Sequence, residues 1–74
     1  MEWHKISGAS VPVYSSAKRV VASELPYVLL VAAGRGRWAV RLYTDPSGNF
    51  TLREILATLD EAKQRGEVLL TMES

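Results

Sequence analysis

Arg35 and Arg37 flank Gly36 in the stretch Gly-Arg-Gly-Arg-Trp at residues 34–38, and no other side chains in the chain come closer to a chemical motif. Two guanidinium groups beside glycine-rich backbone could grip a phosphate. The pattern completes neither common phosphate loop. A dinucleotide fingerprint needs a third glycine and a helix directly after it, so that the phosphates meet helix N–H groups, whereas the run Trp-Ala-Val-Arg-Leu-Tyr that follows reads as a strand. A P-loop ends in Gly-Lys-Ser/Thr, which is absent. The larger reading is a hairpin turn whose glycines permit positive φ and whose arginines keep the tip soluble.

The remaining reactive side chains are scattered. There is no cysteine, which excludes disulfides, thiolate nucleophiles and cysteine-based zinc sites. His4 is the single histidine, with no second or third ligand at metal-site spacing. Asp60 and Glu61 are neighbours on a predicted helix, pointing about a hundred degrees apart, and form a solvated face rather than an acid–base pair. Ser15 and Ser16 lack the Gly-x-Ser-x-Gly setting of a nucleophile elbow. These residues point to no catalytic site, no cofactor and no metal.

The elements that would position any site read as follows. Asp-Pro-Ser-Gly at 45–48 matches a type I turn. Thr51 and Glu54 have capping-box spacing, with Phe50 placed to staple onto Ile55. Leu52, Ile55, Leu56, Leu59 and Ala62 then recur at helical spacing. This predicts an amphipathic helix from about Leu52 to Arg65, stopped by Gly66, and a last strand over Glu67–Met72. Residues 27–33 and 38–43 predict an antiparallel pair, because the link is too short for a parallel crossover. Residues 11–14 are strand-like, with Pro12 suited to an edge. Residues 16–25 fit a helix or a strand, and Pro26 closes either. The fold class is therefore α+β: a small antiparallel sheet of three to four strands with one helix on one face, the alternative being a ferredoxin-like βαββαβ order. We draw one domain, residues 1–74.

Pairing Ala33 with Trp38 would place Tyr27, Leu29, Val31, Ala33, Trp38, Val40 and Leu42 under the helix. The opposite face would then carry Val28, Leu30, Ala32, Arg37, Ala39, Arg41 and Tyr43. Such an apolar patch is read first as internally buried beneath the N-terminal segment, second as a protein-docking face and third as a nucleic-acid face. The candidate partner-binding residues are Val28, Leu30, Arg35, Arg37, Arg41 and Tyr43. In the nucleic-acid reading a base stacks on Tyr43 while Arg35, Arg37 and Arg41, with Lys18 and Arg19, hold phosphates.

Charge is uneven along the chain. Residues 1–43 hold six basic and two acidic side chains, and residues 44–74 three basic and six acidic, for a net charge of +1. That asymmetry suits a mixed-charge protein partner, or a second copy in a homodimer, as readily as a polyanion. The longest apolar run, Tyr27–Ala33, is too short to span a bilayer, and residues 1–10 do not resemble a signal peptide. The expectation is a cytoplasmic, non-catalytic binding or regulatory protein with no membrane partner. Its size would suit a compact inhibitor or accessory factor of the kind that mobile genetic elements carry.

Overall fold

The computed structural model describes residues 1–73. Its five strands are β1 (His4–Lys5), β2 (Val13–Ser15), β3 (Tyr27–Ala32), β4 (Trp38–Tyr43) and β5 (Leu52–Leu56), and they are followed by one helix, α1 (Leu59–Glu73). Each strand pairs antiparallel with the next, in the order β1-β2-β3-β4-β5. The chain is thus α+β, an open meander with α1 packed against β3, β4 and β5. There are five strands rather than three to four. The ferredoxin-like order is excluded because residues 16–25 form no α-helix: they run irregularly into a single 3-10 turn, Ala22–Glu24, ahead of β3.

The C-terminal third corrects the expected helix. Residues 52–56 form an edge strand, and residues 67–72, expected as a strand, continue the helix. Two capping boxes compete in the sequence, Thr51-x-x-Glu54 and Thr58-x-x-Glu61, and the second wins. Thr58 Oγ1 accepts the Glu61 amide at 3.1 Å, satisfying one of the orphan donors of the first turn. Thr51 is instead tied to the sheet, its amide and its hydroxyl both donating to the Leu42 carbonyl at 2.7 and 3.1 Å.

Gly66, expected as the stop, is a buried packing position inside α1. A Cβ there would lie 2.7 Å from Trp3 Cη2 and 3.1 Å from Val28 Cγ1. The absent side chain lets the helix pack closely on Val28 of β3 and on the Trp3 indole beside it. The helical stripe is therefore Leu59, Ala62, Gly66, Leu69 and Leu70. It covers a core of Val28, Leu30, Val40 and Leu42, bordered by Trp3, Tyr14, Trp38 and Leu56. On the same side, Arg65 Nε donates to Glu54 Oε2 at 2.8 Å, and Lys63 Nζ stands 5.7 Å from the Tyr14 ring centre.

Register decides which face is which. Gly34, Arg35 and Gly36 all have positive φ, at 83°, 53° and 73°, and the turn closes with the Ala33 amide donating to the Arg37 carbonyl at 2.9 Å. Five residues, 33–37, separate the strands. Trp38 consequently faces Ala32, Val40 faces Leu30 and Leu42 faces Val28, one residue away from the expected pairing. A shift of one turns a strand over. Trp38, Val40 and Leu42 face the helix as expected, but so do Val28, Leu30 and Ala32, while Leu29 and Val31 face away from it.

Candidate functional site

The face without the helix is built by alternation along every strand. Cross-strand register places His4 beside Ser15, Ser15 beside Leu29, Leu29 beside Arg41 and Arg41 beside Arg53. The neighbouring row is apolar. Val13 faces Val31, Val31 faces Ala39 and Ala39 faces Ile55, and Ile6 joins it at the β1 side, its amide donating to the Val13 carbonyl at 2.9 Å. Ile6, Val13 and Val31 are half-buried, Ala39 is enclosed among them, and Ile55 is 44% exposed. A stripe of branched aliphatic side chains thus crosses the sheet beside a row that ends in two arginines.

A third row closes one end of the face. Tyr27 and Tyr43, direct cross-strand partners, stack with ring centres 5.2 Å apart and an interplanar angle of 22°. Phe50 meets Tyr43 edge-on at 5.9 Å and lies beneath the Arg41 guanidinium, 5.1 Å from Cζ. Phe50 therefore serves this face rather than stapling onto Ile55. Burial raises the Tyr27 phenol above the ordinary tyrosine pKa, and the neighbouring Tyr43 adds to the shift. The turn that presents Phe50 is the expected one at 45–48: the Gly48 amide donates to the Asp45 carbonyl at 3.3 Å, and the Ser47 amide to Asp45 Oδ1 at 3.0 Å.

The structure divides the six candidate partner-binding residues. Val28 and Leu30 are each 0% exposed and belong to the core beneath α1; the shifted register removes both from any docking face. Arg41 and Tyr43 lie on the helix-free face. Tyr43 is only 7% exposed, its ring engaged by Tyr27 and Phe50. Arg37, just ahead of β4, continues the alternation of Ala39 and Arg41, and Arg35 stands at the exposed hairpin tip.

Six contributors were missed from sequence, namely Ile6, Val13, Val31, Phe50, Arg53 and Ile55. Val31 was hidden by the register, Ile6 and Val13 by an N-terminal segment that was given no face, and Phe50, Arg53 and Ile55 by the helix and staple expected there. The signal for β5 was available in the alternation of Leu52, Glu54 and Leu56 with Arg53 and Ile55.

Among the described residues no group of three or more histidine, aspartate or glutamate side chains is placed to hold a metal ion. No helix there is long and apolar enough to cross a membrane. No known protein family, curated protein or solved structure matches the chain.

Proposed function

We propose that this chain is a non-catalytic docking protein whose helix-free sheet face binds another protein. The observation that carries the reading is the aliphatic row Val13, Val31, Ala39 and Ile55, which crosses β2 to β5 on the side that α1 leaves open and is extended by Ile6 just after β1. A half-wet aliphatic stripe on so small a protein is a surface that gains from being covered. The adjoining Arg41 and Arg53, with Arg37, form the polar flank expected of a protein interface, in which arginine is enriched.

Nucleic acid is the weaker reading. A base-stacking platform needs an accessible ring; Tyr43 is 7% exposed and engaged by Tyr27 and Phe50, and the exposed Phe50 already carries the Arg41 guanidinium. The arginines alone would hold phosphates, but three cations on a chain of net charge +1 supply little of the counterion release that drives such binding.

Photo-crosslinking tests the proposal. A benzophenone amino acid is placed at Ile55 or Val13 on the helix-free face, or at Gln64 on the exposed side of α1, and irradiated in extract of the source cells. Positions 55 and 13 are expected to give the same discrete protein adduct, and position 64 none. Adducts from position 64 alone, or from no position, would refute the assignment.

A further inference from the structure

The helix-free face carries a pair of cations that no carboxylate among the described residues neutralises. Arg41 and Arg53 are direct cross-strand partners, so two cationic side chains leave the same face from adjacent positions, an arrangement that destabilises an antiparallel pair. Neither arginine has an ion pair among the described residues, where the side-chain ion pair is Arg65 with Glu54 on the other side of the sheet. The contrast is internal to β5. Glu54 points to the helix and finds its cation, while Arg53, one residue earlier, points away and finds no anion.

Arg41 is held rather than loose. The Phe50 ring supports its guanidinium, and its Nε is shut off from solvent with no hydrogen-bond acceptor. A buried donor without an acceptor is uncommon in a folded chain and calls for an explanation. An anion on the outer side of the sheet would meet the remaining N–H donors of the guanidinium and offset in part the cost of the enclosed Nε.

We infer that Arg41 and Arg53 together receive a carboxylate from an acidic and apolar segment of a partner protein, whose apolar side chains lie along Val13, Val31 and Ile55. This rests on the docking function proposed above and names the chemistry of its partner. Guanidinium groups match carboxylates through paired N–H donors, and the aliphatic row beside them selects apolar neighbours for that carboxylate. A second copy paired through this same face does not fit. No strand residue on this face is acidic, so a twofold pairing through it would bring the arginines into an interface with their own images and no counter-charge.

The test titrates labelled protein, by two-dimensional amide NMR, with a blocked hexapeptide of alternating glutamate and leucine. An alternating lysine–leucine hexapeptide and a thymidine decamer serve as comparisons. Expected are saturable shifts at Val31, Arg41, Arg53 and Ile55 with the glutamate peptide, at least tenfold weaker binding by Arg41→Gln and Arg53→Gln, and no saturation with the lysine peptide. Arg53→Glu, which replaces the like-charge pair by an opposite one, should melt at a higher temperature than the parent and yet fail to bind; its melt shows that the fold is intact.

Equal affinity of the parent and the glutamine variants for the glutamate peptide would overturn the carboxylate assignment while leaving the docking face standing. Tighter binding of the thymidine decamer would overturn both. No saturable shift with any probe would overturn the inference, and the crosslinking experiment would then judge the docking function alone.

Discussion

Replacing Gly66 by alanine sets two effects of opposite sign against each other. In an exposed helix interior the change gains about 1 kcal/mol, because alanine has less backbone freedom to lose than glycine. Here the new methyl would stand 2.7 Å from Trp3 Cη2 and 3.1 Å from Val28 Cγ1, where carbon atoms prefer about 3.5–4.0 Å. The indole must withdraw or α1 must lift from β3, and overpacking of this kind costs about 1–3 kcal/mol. The net expectation is a loss of up to about 2 kcal/mol once the helix gain is subtracted. Urea denaturation followed by tryptophan fluorescence reads the stability, and a red-shifted native emission would report movement of Trp3. A double-mutant cycle isolates the cause: with Trp3→Phe already in place, Gly66→Ala should become neutral or stabilising, a coupling of about 1 kcal/mol or more for side chains in contact. If Gly66→Ala stabilises both backgrounds by the same amount, the close packing of Trp3 against the helix is refuted.

Three further outcomes follow from named contacts. Leu30→Ala, at a fully buried position, should cost about 2–5 kcal/mol, whereas Ile55→Ala on the helix-free face should cost under about 1 kcal/mol, the range of weakly packed surface positions; chemical denaturation of the two variants checks the register. Thr58→Ala should lose about 1 kcal/mol and helical circular dichroism through loss of the N-cap, while Thr51→Ala, whose hydroxyl serves the sheet, should leave the helical signal unchanged. The raised Tyr27 pKa means that the unfolded chain releases this proton first as pH rises, so its contribution to stability is intact below the ordinary tyrosine value of about 10 and is lost above it; Tyr27→Phe should flatten that alkaline decline in urea titrations.

Much of the fold was legible because local chemistry left no competitor. Val31 and Val40 lie in two apolar runs joined by too short a link for anything but antiparallel strands. Asp45–Gly48 could hardly be other than a turn, and the tryptophan of the Gly-Arg-Gly-Arg-Trp stretch does face the helix. The failures came where two local readings had equal warrant. Leu52 and Leu56 satisfy both helical spacing and strand alternation, and edge pairing with β4 decided between them. Gly66 has the composition of a stop, and only the position of Trp3, more than sixty residues earlier in the chain, explains why a glycine is needed inside a helix.

The error at the site was one of parity. The glycines of residues 34–38 marked the turn, but Arg35 joining them at positive φ was not visible in residue types, and an odd connection inverted β3. Val28 and Leu30 went from surface to core, and Val31 from core to surface. Arg41 kept its place because β4 was oriented by its own residues, Trp38, Val40 and Leu42.

Docking of a protein on the sheet face opposite α1 would shield the amides of that face from solvent. Hydrogen exchange of the labelled chain, alone and with the partner recovered by the position-55 crosslink, reads that shielding. Slowed exchange is expected along β2, β4 and β5, around Val13, Arg41 and Ile55, with the exposed side of α1 at Asp60, Gln64 and Val68 unchanged. Protection confined to α1, with the sheet strands exchanging as in the isolated chain, would contradict it.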